Sequence, residues 1–141
     1  MKRILILLAV AASVCAVSCK KQPKAPATPA IVGEWQLSGI ESKAVEYAGK
    51  EIDVYLSFAS DGSFELYQNL AGGRFIRYTG SWELDGSSLS GTYSNKKAWG
   101  STYTVNVSGD SMTLTSDVSG EVDTYTRKEI PSEVKEGSYE N

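Results

Sequence analysis

From Ile31 to about Arg127 apolar and polar residues alternate with a period of two, the pattern of strands that bury one face. The alternation predicts eight strands: Ile31–Ile40, Glu51–Ser60, Ser63–Asn69, Arg74–Leu84, Ser87–Ser94, Ser101–Ser108, Ser111–Asp117 and Glu121–Lys128. Parity assigns the inner face. Ile52, Val54, Leu56 and Phe58 share a side in the second strand, Phe64, Leu66 and Gln68 in the third, and Ile76, Tyr78, Trp82 and Leu84 in the fourth. Tyr103, Val105 and Val107 follow in the sixth, and Met112 and Leu114 in the seventh. Asp53, Ser57, Glu65, Thr79, Ser81, Glu83, Thr104 and Asn106 fall on the other side, so one face is apolar and the other polar.

The connections are short and rich in turn residues. Asp61-Gly62, Asp85-Gly86, Gly109-Asp110 and Ser119-Gly120 each separate two alternating runs, and Ala71-Gly72-Gly73 makes a slightly longer hairpin. Such pairs suit two-residue hairpins, whose turns need positive φ. Strands joined this tightly are antiparallel neighbours, and the chain is a meander. Only Glu41 to Lys50 is a long connection, where a lid or binding loop can sit. The predicted fold class is all-β: an eight-stranded antiparallel up-and-down barrel, which closes the sheet and leaves no open edge. Gly80, inside the long fourth strand, fits the bend that closure needs. A flat two-sheet sandwich is the competing arrangement.

Ahead of the strands the pattern changes. Lys2 and Arg3 precede a run from Ile4 to Val17 that is apolar apart from Ser13. This reads as a secretory signal, being shorter than the roughly 20 residues of a membrane span. It ends in Ala16-Val17-Ser18-Cys19, which resembles the lipobox of bacterial lipoproteins. The resemblance implies cleavage before Cys19, a diacylglycerol thioether on its sulfur, and acylation of the new amine. Cys15, preceded by Val14, is the competing site, and an ordinary signal peptide with an incidental Cys19 is the alternative. Residues 20–29 carry Pro23, Pro26 and Pro29 among lysines and read as an extended spacer. The expected organisation is residues 1–18 signal, 19–30 lipidated Cys and linker, 31–130 barrel, and 131–141 disordered tail.

Composition then removes whole classes of chemistry. Cys15 and Cys19 are the only cysteines, so a domain cut before Cys19 has no disulfide and no thiolate metal site. There is no histidine, which excludes Ser-His-Asp and Cys-His catalysis and histidine metal sites. Removing Lys2 and Arg3 from the 14 basic residues leaves 12 against 17 acidic, a net charge of −5. That balance argues against nucleic acid, which needs a basic face. Glu65 and Glu83 are the best strand carboxylates for a glycosidase, but parity puts both outside. No enzyme activity, metal or cofactor is expected.

Gly33-Glu34-Trp35 opens the first strand with Gly-x-Trp, and Gly80-Ser81-Trp82 repeats it. Between them lies Phe58-Ala59-Ser60-Asp61-Gly62-Ser63-Phe64. This order resembles the lipocalin and wider calycin families, and in particular the lipocalin-like lipoproteins common in Bacteroidetes. The resemblance implies that Trp35 plugs one barrel end, that Gly33 lets the backbone pass close by, and that Arg127 of the last strand packs over Trp35, with Trp82 as a second structural position. Many lipocalins are longer, end in a helix and carry disulfides, and none of these is evident here. The resemblance also implies a lipid-anchored protein of the cell envelope, at the outer membrane, whose barrel binds a small apolar ligand. Candidate ligand contacts are Phe58, Phe64, Arg74, Tyr78 and Tyr103. Trp99, in the loop from Asn95 to Gly100, suggests either packing against the barrel end or a rim. The alternative function is an interaction module that binds an envelope protein or glycan through loop aromatics, with no cavity.

Overall fold

The structure, a computed structural model, describes residues 28–41, 52–70 and 72–141. The signal segment, Cys15, Cys19, most of the linker, and the 42–51 connection lie outside the described residues. The strands are β1 (Gly33–Glu41), β2 (Ile52–Phe58), β3 (Ser63–Leu70), β4 (Ile76–Asp85), β5 (Ser88–Tyr93), β6 (Tyr103–Ser108), β7 (Ser111–Ser116) and β8 (Val122–Arg127). Each pairs antiparallel with the next, and β1 pairs with β8, so the sheet closes into the expected barrel rather than a sandwich. The turn chemistry works as the sequence suggests. At the β2–β3 hairpin, Gly62 takes φ +86° and the Asp61 carboxylate accepts from the Ser63 amide and hydroxyl at 2.9 and 2.6 Å. Those bonds favour the charged form and hold the Asp61 carboxyl below its ordinary value.

The inner face matches the alternation. Trp35, Val54, Leu56, Phe58, Phe64, Trp82, Leu89, Met112, Leu114 and Tyr125 form one buried cluster with Ile31. Trp82 Nε1 donates to the Ala59 and Ser63 carbonyls at 3.2 and 2.9 Å and its ring meets Phe58 edge-on, so the second Gly-x-Trp pins the β2–β3 hairpin.

One end of the barrel is plugged. Residues 28–32 turn back across it, Ile31 is buried, and Trp35 Nε1 donates to the Ile31 carbonyl at 2.8 Å. The Arg127 guanidinium lies 4.1 Å from the Trp35 ring centroid and donates to the Val32 and Ala30 carbonyls at 3.1 and 2.9 Å. A side chain on Gly33 would collide with that guanidinium, and Gly33 has φ +136°. The arginine-on-tryptophan arrangement implied by the family resemblance is therefore present.

The expected disordered tail is corrected. Ser132–Gly137 forms helix α1, and Tyr139–Glu140 forms β9, parallel to β4. A six-residue helix has little stability alone; this one is held by packing. Ile130, just ahead of the helix, and Val134 within it are buried against Tyr55, Tyr67 and Phe75. Tyr55 and Tyr67 stand on the outer barrel face, directly opposite each other in the β2–β3 register. Lys135 Nζ pairs with Glu34 Oε1 at 2.7 Å, and the other Glu34 oxygen accepts from the Ile130 amide at 2.6 Å. The short strand β9 covers a free edge: β5 ends opposite Gly80, so Ile76 and Arg77 of β4 pair with Tyr139 and Glu140 instead. Barrel, plug and covering helix are all built from residues 28–141, which therefore hold a complete core.

Candidate functional site

The two ends of the barrel differ. The plugged end gathers the tight β2–β3, β4–β5 and β6–β7 hairpins. The other end, the mouth, receives the last residues of β1, β3, β5 and β7 and the first of β2, β4, β6 and β8. The wall is weakest between β5 and β6, where only Ser88 with Thr104 and Leu89 with Tyr103 are in register. Beyond that seam β5 pairs with its own loop. Trp99 N donates to Gly91 O at 2.9 Å, Tyr93 N to Lys97 O at 2.8 Å, and Lys96 makes the turn with φ +71°. The hairpin drops the Trp99 indole into the barrel over Gly91, in the space a Cβ would need. Trp99 is therefore interior packing and not a rim residue. Its ring meets Phe64 at 4.9 Å and Tyr103 at 6.1 Å between centroids, both edge-on.

Under Trp99 the barrel is not full. A cavity of about 120 Å³ opens toward the mouth. Leu56 and Phe58 of β2 and Phe64 and Leu66 of β3 form one wall. Tyr93, Trp99, Gly100 and Tyr103 form another, and Leu114 of β7 with Asp123 and Tyr125 of β8 complete it. Of the five expected ligand contacts, Phe58, Phe64 and Tyr103 line this space. Tyr78 does not: its ring leans on Tyr93 at 6.0 Å, and it borders a second depression with Gln68 and Lys97. Arg74 is turned away altogether. It is exposed, donates from Nε to the Gly137 carbonyl at 3.2 Å and lies over the Tyr139 ring, so it anchors the C-terminal segment. The expectation that it reaches the mouth failed because β4 begins only at Ile76, which leaves Arg74 outside the strand whose parity was extended to it.

The residue missed by sequence reading is Asp123. It lies opposite Leu114 in the β7–β8 register and shares parity with buried Tyr125, so its carboxyl enters the cavity. Burial pushes its pKa up, with Glu121 adding to the effect. Burial raises the Tyr93, Tyr103 and Tyr125 hydroxyls too, with Asp123 contributing at Tyr103 and Tyr125. Among the described residues, neither the Asp123 carboxyl nor these three hydroxyls has a side-chain hydrogen-bond partner. Among the described residues, no group of three or more His, Cys, Asp or Glu is placed to hold a metal ion, and Glu65 and Glu83 stand on the outer face, away from the cavity.

The raised Asp123 pKa has a consequence for stability. The folded state holds this proton more tightly than the unfolded chain does. Stability from this group is therefore complete below the ordinary carboxylate pKa and is lost as pH rises through the raised value. Asp123→Asn should raise the melting temperature at neutral pH, with the gain vanishing near pH ~3, below the ordinary carboxylate value. Thermal melts of both proteins across that range check this; a gain of equal size at every pH would assign it to packing instead.

The lipocalin-like domain family matches residues 31–114, well over half of the chain. No curated protein matches it. Among solved structures, a DUF4847 family protein from Bacteroides vulgatus is 10% identical, aligns over 72% of this chain and 96% of its own, and has a TM-score of 0.46. A lipoprotein, YedD, from Klebsiella pneumoniae is 17% identical over 77% of this chain and 82% of its own, with a TM-score of 0.48. With the sequence match running from the plug through β7 and the barrel closed behind Trp35 and Arg127, the chain belongs to the lipocalin-like domain family.

Proposed function

We propose that this protein is a lipid-anchored envelope lipoprotein, held at the outer membrane through Cys19, whose barrel takes up a small and mainly apolar ligand at its mouth. The observation that carries the ligand reading is the unfilled interior. A barrel of eight strands is just wide enough to be filled by its own side chains or to hold one small ligand. Here about 120 Å³ is left between aromatic and leucine walls, while an apolar cavity of roughly 150 Å³ accepts benzene. The space is somewhat smaller than that, so benzene's bulk is its upper limit and any further group, a fatty acid or retinoid chain above all, would have to project from the mouth. The anchor reading rests on the sequence from Lys2 to Cys19. Interaction through loop aromatics has less in its favour, since Trp99 is turned inward.

Nuclear magnetic resonance titration of residues 28–141 with toluene and benzyl alcohol tests the pocket. Saturable shifts confined to the neighbourhood of Leu56, Phe64, Trp99, Tyr103 and Tyr125 are expected. No shift with either would overturn the reading. For the anchor, cells fed an alkyne palmitate should label the full chain, and Cys19→Ala should abolish labelling while Cys15→Ala leaves it intact. Labelling that survives Cys19→Ala would remove Cys19 as the anchor.

A further inference from the structure

We propose that the ligand of the barrel pocket is a small organic ammonium of about benzene's bulk, whose cation is held by Asp123 and faced by the rings of Trp99 and Tyr103. The inference rests on the pocket reading above and names the chemistry the pocket selects.

The cavity is apolar except at one corner. Leucines and phenylalanines form its depth, whereas Asp123, Tyr103 and Tyr125 bring a carboxyl and two hydroxyls to the β6–β8 side. A carboxylate drawn out of water is costly unless a cation or hydrogen-bond donors compensate it. The chain supplies neither among its described residues. Its ion pairs join Arg77 to Glu65 and Glu140, Arg127 to Asp110, and Lys135 to Glu34. All of these lie on the outer face, in the tail or at the plugged end, and none involves Asp123. Among the described residues, the groups around Asp123 are Tyr103 from β6, Tyr125 on its own strand, Leu114 from β7, Ile40 opposite it in the β1 register, and Glu121 just before the strand. Glu121 is a second negative charge and adds to the attraction for a cation.

Asp123 is half-buried, and a carboxyl held partly out of water against apolar walls, with no cation paired to it among the described residues, is the kind of group that clusters where a ligand completes a site. The ligand that completes this one brings the missing positive charge. Its carbon body replaces water against Leu56, Phe64 and Leu114, and its ammonium donates to Asp123. The indole of Trp99 and the ring of Tyr103, edge-on to each other and lining the same cavity as the carboxyl, add cation–π attraction. An anion would meet Asp123 and Glu121 and be repelled. A neutral ligand of the same shape would keep the apolar contacts and leave the carboxyl as it was.

The test uses benzylamine, benzyl alcohol and benzoate as matched probes on residues 28–141, with the same titration. Benzylamine is expected to bind about tenfold more tightly than benzyl alcohol, the scale of one charge-assisted hydrogen bond, and benzoate not at all. Asp123→Asn should abolish the difference between amine and alcohol. The wild-type protein gives a second readout that needs no variant: the carboxyl carbon resonance of Asp123, followed against pH, should titrate at lower pH when benzylamine is bound and stay in place with benzyl alcohol. Equal binding of amine and alcohol, with an unmoved Asp123 titration, would overturn the ammonium inference and leave the pocket reading standing. Failure of every probe to bind would overturn both.

Discussion

Trp35→Ala should bring the protein to the edge of unfolding, with an expected loss of about 3–5 kcal/mol, the range for deleting a buried tryptophan. A domain of this size has a total stability of roughly 5–15 kcal/mol, and each kcal/mol is worth about 4 °C or more in melting temperature, so a fall of roughly 15 °C is the expected reading. Trp35 is fully buried, and its loss undoes three things together. The indole closes one barrel end, its Nε1 ties the Ile31 carbonyl, and its face receives Arg127. Without the ring, Arg127 loses the surface that orients it toward the Val32 and Ala30 carbonyls, and the turn over the barrel end loses both its anchors. Trp35→Phe keeps most of the apolar area and gives up the indole hydrogen bond, so it should cost only about 1–2 kcal/mol. Combining Trp35→Ala with Arg127→Ala should cost less than the two losses added, because both remove the same contact. Thermal and urea unfolding of the wild type, the three single variants and the double variant checks the series. A loss of only a few degrees in Trp35→Ala would mean the end is not closed by this residue.

The closure of one end by Trp35 and Arg127 was implied by the family resemblance, whose marks are local and short: a glycine and a tryptophan two residues apart at the start of β1, and an arginine at the end of β8. Asp-Gly and Gly-Asp pairs fixed the hairpins in the same way, since their chemistry is local. The C-terminal segment was not legible, because what holds it is tertiary. Residues 131–141 are polar and short, and only Ile130 and Val134 carry its apolar contact. A sign did exist on the other side of that contact. Tyr55 and Tyr67 sit at outward positions of paired strands, and two large aromatics facing out together point to something that covers them.

The pocket divides similarly. Phe58, Phe64 and Tyr103 follow from parity in strands whose alternation is clean. Asp123 was passed over because β8 reverses the usual signs. Its inward positions are Asp123, Tyr125 and Arg127 and its outward ones Val122, Thr124 and Thr126, so apolarity alone does not identify the inner face there. Tyr125, sharing parity with the Arg127 expected over Trp35, was enough to orient the strand and to place a carboxyl inside. The position of Trp99 depended on a seam that opens between β5 and β6, and no residue in the loop announces that opening.

Gly80→Ala is expected to cost about 3 kcal/mol, the upper end for overpacking, and the reason separates it from the outwardly similar Gly91→Ala. Gly80 pairs with Phe64 of β3 on one side and Tyr93 of β5 on the other. A Cβ there would lie 2.7 Å from Phe64 Cε1 and 2.8 Å from Tyr93 Cα, and would strike the Thr92 carbonyl oxygen. Two of those obstacles are backbone, so relief requires β4 and β5 to part where the wall bends and where the neighbouring β5–β6 seam is already weak. At Gly91 the three nearest obstacles are all atoms of the Trp99 indole, carried on a loop outside the barrel strands. There the methyl group displaces a side chain. Gly91→Ala should therefore cost less, about 1–2 kcal/mol, while moving Trp99 off Phe64 and Tyr103 and reshaping the pocket. Tryptophan emission should shift to the red in Gly91→Ala, with binding of the benzyl probes weakened, and Gly80→Ala should show the larger loss of melting temperature. If Gly91→Ala were the more destabilising of the two, Trp99 would have to be holding the barrel wall together and not merely lining its cavity.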